Sequence, residues 1–176
     1  MLFAAQDDIV NKLVVDLGCG TGILGIGAVI LGAAHVVGVD VDAAAIEKAR
    51  VNACDAETDV DFVLADALAS PPWAFAQAGR LADTVVMNPP FGTRKAGADV
   101  EFLRAGLNLC RGAVYSMHKT STRDFIVNKC SAEWGMDVKV VAQLKFDVPA
   151  SYAFHKKKSA DVDVDLIRVA HRYNVL

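Results

Sequence analysis

Leu13-Val14-Val15-Asp16 is a short apolar run that stops at Leu17-Gly18-Cys19-Gly20-Thr21-Gly22, and a wholly apolar stretch from Gly22 to Leu31 follows at once. A strand, a glycine turn and a buried helix in that order leave few folds open. The next strand-like run, His35-Val36-Val37-Gly38-Val39-Asp40, is reached through a helix, which demands parallel pairing. The alternation continues. Ala43 to Cys54 is predicted as a helix with Asp42 at its N-cap and Glu47, Lys48 and Arg50 on the outer face. Val60 to Leu64 reads as a third strand ending at Ala65-Asp66, and Ser70 to Arg80 as a turn-rich stretch with one short helix at its prolines. A fourth strand, Thr84 to Asn88, precedes a helix from Ala98 to Arg111, a fifth strand from Ala113 to His118, and a helix from Ser121 to Trp134 capped by Ser121 or Thr122. Met136 to Phe146 and Ala160 to His171 then alternate apolar and polar residues with no helix between, so they should pair antiparallel. The expected fold is α/β: a mostly parallel, Rossmann-like sheet with helices on both faces and a C-terminal antiparallel strand pair. Residues 1–176 are expected to form one domain.

Composition narrows the class. Of 176 residues, 53% are hydrophobic and 22% charged, which excludes a disordered chain. The longest apolar-plus-glycine run, Gly22 to Ala34, falls short of the roughly 20 residues that a bilayer span needs. Asp7-Asp8 stand where a secretory signal would carry basic residues, so secretion is not expected. Cys19, Cys54, Cys110 and Cys130 are scattered with no C-x-x-C pair, which predicts reduced thiols and no metal site. A net charge of −3 leaves room only for a local basic patch toward nucleic acid.

A glycine-rich turn between strand and helix lets the backbone approach a ligand that side chains would exclude. Asp40, twenty residues after Gly20, stands where an acidic residue can grip ribose hydroxyls. A rival register, Gly20-Thr21-Gly22-Ile23-Leu24-Gly25, fits the dinucleotide fingerprint of a nicotinamide enzyme. Asp16 argues against it: a carboxylate before the loop gains nothing from a pyrophosphate, whereas a sulfonium and an amino group gain from it. Asp66 can reach an adenine amine. The expected cofactor site is therefore Asp16, Gly18, Cys19, Gly20 and Gly22, with Asp40-Val41, Asp66-Ala67 and Asn88 at later strand ends. A blander reading has the aspartates simply satisfying loop N–H groups.

Asn88-Pro89-Pro90-Phe91-Gly92 ends the fourth strand. Prolines cannot continue a strand, and their carbonyls are left free to accept hydrogen bonds beside the Asn88 amide oxygen. Phe91 offers a face on which a flipped-out or single-stranded base can stack. Asn88, Pro89, Pro90 and Phe91 are thus the candidate catalytic residues for an exocyclic amine. Arg94, Lys95, Lys119 and Arg123 follow strand ends on the same rim. Tyr152, Phe154, His155 and Lys156-Lys157-Lys158 mix aromatic and basic residues in the manner of an RNA-binding loop.

These motifs resemble S-adenosylmethionine-dependent methyltransferases that act on amino groups. Val86-Met87-Asn88-Pro89-Pro90-Phe91-Gly92-Thr93, the segment Ala113 to Arg123 and the segment Val148 to Ser159 look more closely like the methyltransferase-like-five family of adenine-N6 methyltransferases. The likeness runs from about residue 7 to the C-terminus. It implies a seven-stranded class I methyltransferase fold and S-adenosyl-L-methionine as cofactor. The implied substrate is one adenosine of small-subunit ribosomal RNA. It also implies a heterodimer with a small zinc-binding activator subunit, with His35 to Phe62 as the candidate contact face, and a location in the cytoplasm and nucleus, the nucleolus included. Family members carry a further N-terminal stretch with a Gln-Tyr-x-Thr segment that helps enclose the cofactor. This chain begins after it, so the pocket is expected to be open on one side. Methylation of DNA adenine or of a protein glutamine amide, a nicotinamide-dependent oxidoreductase, and a non-catalytic RNA-binding subunit stay open as alternatives.

Overall fold

The computed structural model describes residues 6–68, 81–90, 97–149 and 159–172. The strands are β1 (Leu13–Leu17), β2 (His35–Asp40), β3 (Asp61–Leu64), β4 (Ala82–Met87), β5 (Cys110–Lys119), β6 (Asp137–Pro149) and β7 (Ser159–Ala170). They form one seven-stranded sheet in the order β3-β2-β1-β4-β5-β7-β6. Pairing is parallel from β3 across to β5 and antiparallel for β5-β7 and β7-β6. The helices are α1 (Gln6–Ile9), α2 (Ile23–Ile30), α3 (Ala43–Asp55), α4 (Ala98–Leu109) and α5 (Arg123–Asn128). No helix among the described residues is long and apolar enough to cross a membrane.

Both faces of the sheet are covered, as near-continuous apolar parallel strands require. On one face, Leu103 and Leu107 of α4 and Ile126 of α5 pack against Val85, Met87, Val114 and Ile167. On the other, Ile9 of α1 and Ala28 of α2 pack with Val14 and Val36. Asp42 caps α3 as expected, accepting from the backbone N–H of Ala44 and Ala45. Close approaches tighten the left side of the sheet. A Cβ at Gly38 would stand 2.7 Å from the Phe62 ring, so glycine on β2 makes room for the aromatic side chain of β3.

Three expectations are corrected. The helix expected from Ser121 to Trp134 is instead a 3-10 turn at Thr120–Thr122, then α5, then a π-helical turn at Lys129–Glu133. The Ser131 hydroxyl donates to the Val127 carbonyl at 2.7 Å, a back-bond that competes with the α-helical ladder, and the Trp134 N–H reaches back five residues to the Lys129 carbonyl at 3.1 Å. The Thr122 hydroxyl does not cap the helix but donates to the Lys119 carbonyl at 2.9 Å. α4 also stops at Leu109 and β5 begins directly at Cys110, two to three residues earlier than the apolar pattern predicts. The short helix predicted at Ser70 to Arg80 lies outside the described residues.

α1 was not legible in the sequence. Asp8 accepts from Tyr115 Oη and Arg168 Nε, each at 2.8 Å, and Thr84 Oγ1 donates to the Asp8 carbonyl. Burial pushes the Asp8 carboxyl up, but the Arg168 and Tyr115 hydrogen bonds more than offset it and hold it below the usual range.

The β4–β5 register shifts between Ala82 and Thr84, leaving the Asp83 carbonyl turned toward Gly112. A Cβ at Gly112 would meet that carbonyl oxygen at 2.5 Å, against backbone that cannot swing aside. Gly112→Ala should therefore cost about 1–3 kcal/mol by overpacking. Urea unfolding of the two proteins checks this, with a lowered midpoint at unchanged slope expected.

Candidate active site

The order of strands reverses between β1 and β4, and at the carboxyl ends flanking that point the chain opens a cavity of about 210 Å³. Open parallel sheets bind ligands at such switch points. The lining comes from four successive strand ends: Gly18 after β1, Asp40-Val41 after β2, Asp66-Ala67 after β3, and Asn88-Pro89-Pro90 after β4. Phe102 of α4 closes one wall. Thus the expected cofactor residues Gly18, Asp40, Val41, Asp66, Ala67 and Asn88 meet the expected acceptor residues Asn88, Pro89 and Pro90 in one space. Asn88 and Pro90 are exposed, whereas Pro89 is buried.

The glycine turn builds the floor in two ways. Gly18 sits at φ +71°, and a Cβ there would come 3.1 Å from the Phe102 ring. Gly20, at φ +53°, has open space around it and is needed for its left-handed backbone instead. Asp40 holds the turn in shape: Oδ2 accepts the Gly20 N–H at 2.7 Å and Oδ1 accepts the Asp42 N–H at 2.9 Å. Asp66 Oδ1 accepts the Leu68 N–H at 2.8 Å. The aspartates therefore do satisfy loop N–H groups, and they line the cavity as well.

Asp16 is differently placed from what the loop pattern predicts. It does not line the cavity but lies beneath the turn, only 1% exposed. Its Oδ2 accepts the Gly25 N–H at 2.8 Å, while Oδ1 is buried with no partner among the described residues. Burial pushes the carboxyl up to about 7, and the nearby Asp40 charge adds to the rise. An orphaned buried carboxylate oxygen behind a ligand cavity fits a cationic group arriving from the cofactor. Cys19, Gly20 and Gly22 also shape the turn from behind. Burial and the Asp16 and Asp40 charges push the Cys19 thiol up to about 12, so it stays neutral.

Of the expected RNA-facing residues, Arg123 donates through Nε and Nη2 to both oxygens of the buried Asp165 at 2.7 Å each, while its side chain stays 36% exposed at the surface. Lys119 stands half-buried at the end of β5. Phe91, Arg94, Lys95, His155, Lys156, Lys157 and Lys158 lie outside the described residues. Among the described residues no group of three or more His, Cys, Asp or Glu could hold a metal ion.

Sequence reasoning missed Phe102. Its signal was available only as an aromatic residue one helical turn into α4, a position that ordinarily means core packing.

The family model for the methyltransferase small domain matches residues 1–119. The rRNA N6-adenosine-methyltransferase METTL5 of Danio rerio is 48% identical over 164 residues, covering 92% of this chain and 77% of that protein. Its counterpart in Drosophila melanogaster is 47% identical over 167 residues, covering 93% of this chain and 76% of that protein. Among solved structures, a candidate RNA methyltransferase of Pyrococcus horikoshii superposes with a TM-score of 0.79 at 34% identity, covering 97% of this chain and 80% of that one. With the family model matching residues 1–119 and relatives alike along nearly the whole sequence, this chain belongs to the rRNA N6-adenosine-methyltransferase family.

Proposed function

We propose that this chain methylates the N6 amine of an adenosine in small-subunit ribosomal RNA, using the residues that line the switch-point cavity. S-adenosylmethionine, the cofactor of this enzyme class, supplies an activated methyl group on a sulfonium. The observation that carries the residue assignment is the juxtaposition of Asn88-Pro89-Pro90 with Gly18, Asp40 and Asp66 around one cavity. Asp40 would hold the ribose hydroxyls with its remaining lone pairs, Asp66 the adenine amine, and the Gly18 backbone the close approach of the ligand. Asp16 would balance the cofactor's positive charge through the turn.

An adenine amine is a weak nucleophile because its lone pair is delocalised into the ring. Accepting its two hydrogens on Asn88 Oδ1 and the Pro89 carbonyl turns that lone pair out of the ring plane. Alignment then does most of what the protein must do, since the methyl group is already activated. Phe91 would stack on the base, and Lys119 with Arg94, Lys95, His155 and Lys156–Lys158 would neutralise backbone phosphates. Ribosomal RNA as substrate implies a cytoplasmic or nuclear protein, the nucleolus included. We read residues 1–176 as one catalytic domain.

The partner in this proposal is a small zinc-binding activator subunit at the β3 edge. Support comes from apolar side chains there: Val63 is 42% exposed and Leu64 57%. An unpaired edge strand with exposed apolar residues is a surface that natural proteins cover. Co-expression with the activator followed by light scattering should give a 1:1 complex, and Leu64→Asp should dissolve it. A monomer in both cases would remove the partner from the proposal.

Asp40→Ala removes charge-assisted hydrogen bonds from ribose and from the Gly20 turn, so S-adenosylmethionine affinity should fall about 10- to 150-fold by calorimetry. Asn88→Ala should leave cofactor binding intact and lower methyl transfer to an rRNA fragment by about 100-fold or more, the scale of a lost preorganised hydrogen bond. Near-normal transfer by that variant would refute the amine-gripping role.

Asp16 sets a pH dependence. Its carboxyl titrates near 7 in the folded protein against an ordinary 3.8, so it withdraws stability from the cofactor-free protein as pH rises from about 4 to about 7. A cationic ligand favours the ionised form, so cofactor affinity should rise across the same window and level off above it. Asp16→Asn should flatten that profile.

A further inference from the structure

His118 is a fully buried imidazole that the proposed chemistry does not use. It lies two residues from the end of β5's partner stretch with β4, where Ser116 is in register with Met87, the residue before Asn88. Its Nε2 is 2.9 Å from Ser116 Oγ. Its Nδ1 faces Asp99 Oδ2 at 3.5 Å, in the first turn of α4, and has no closer partner among the described residues. One ring therefore reaches from β5, whose Ser116 pairs with the last residue of β4, to the first turn of α4.

We propose that His118 is a positioning residue for the amine acceptor, holding β5, the strand paired with the carboxyl end of β4, against the first turn of α4 through Asp99. This rests on the methyl-transfer reading above. One hydrogen bond, to Ser116, and one electrostatic contact, to Asp99, assign the tautomer: a proton on Nδ1 faces the Asp99 carboxylate, and Nε2 accepts from the Ser116 hydroxyl. Burial pushes the imidazole below its ordinary value against the opposing charges of Asp99 and Asp165, consistent with a neutral ring.

The surroundings suit a fixed ring rather than a proton carrier. His118 stands opposite Asp165 in the β5–β7 register. Asp165 is 0% exposed, and its charge is met by Arg123 from α5 and by Thr120 Oγ1 at 3.0 Å. These bonds hold the Asp165 carboxyl below the usual range. The β7 carboxylate is thus already neutralised and leaves Asp99 as the acceptor for Nδ1. Asp99 is partly exposed, at 20%, so it can be changed without opening the core.

The test uses Asp99→Ala and Asp99→Asn, with His118→Asn as a second route because asparagine retains a donor near Nδ1. For each protein, kcat and KM on an rRNA fragment, cofactor affinity, and hydrogen exchange of the amides at Asn88 and in the first turn of α4 are measured. Asp99→Ala is expected to lower kcat about 10- to 100-fold, the cost of a small misplacement of the reacting groups, with KM and cofactor affinity unchanged and with faster exchange at both sites. Asp99→Asn, which still accepts a hydrogen bond, and His118→Asn, which still donates one, should recover most of the loss. Parental kcat and parental exchange in Asp99→Ala would overturn the proposal, as would equal losses in the alanine and asparagine variants. If the parent protein methylates no RNA, the functional reading fails by itself, and the exchange at Asn88 and α4 still decides whether His118 couples the two.

Discussion

Parallel pairing of β1 with β2 and β4 puts three carboxyl strand ends side by side, and every group at the cavity depends on that arrangement. Register decides the details. Asp16 is level with Val86 on one neighbour and Gly38 on the other, so the glycine turn after β1 rises next to Asn88 and Asp40. A slip of one residue would turn Asp16, Val14 and Val36 to the wrong face. The apolar packing on both sides of the sheet, Val14 and Val36 on one face and Val15 and Leu17 on the other, is what makes such a slip costly.

Three buried or half-buried carboxylates in this fold meet burial in three ways. Asp165 is paired with a guanidinium that matches both its oxygens and stays ionised. Asp8 shares a guanidinium and a phenol, which together outweigh its desolvation. Asp16 has only one backbone N–H and no cation, and its carboxyl rises to about 7. A charge left uncompensated inside a protein is costly unless something arrives to balance it. That asymmetry sets the carboxylate beneath the glycine turn apart from the other two.

Periodicity made the alternating order of elements legible, and the turn chemistry at Gly18 to Gly22 and at Asn88-Pro89-Pro90 made most of the cavity legible with it. Those signals are local, carried by residues whose backbone needs are unusual. What escaped is held by contacts distant in sequence. α1 is pinned by Tyr115 and Arg168, more than a hundred residues away, so its four residues carry no pattern of their own. The ion pair of Arg123 had no local signal because its partner, Asp165, comes from a strand forty-two residues later. The break in the helix after β5 goes with the Ser131 hydroxyl bonding back to the Val127 carbonyl, which no apolar pattern shows.

β7 lies between β5 and β6, although it is the last of the described strands in sequence. During synthesis, β6 therefore emerges with no place to dock, and β5 presents an open edge until the final strand arrives. The same strand delivers Arg168 to Asp8 and Asp165 to Arg123, so the first helix and the helix after β5 are fastened only then. Such long-range closure is slow compared with local pairing. Losing β7 would remove an interior member of the sheet rather than trim its margin.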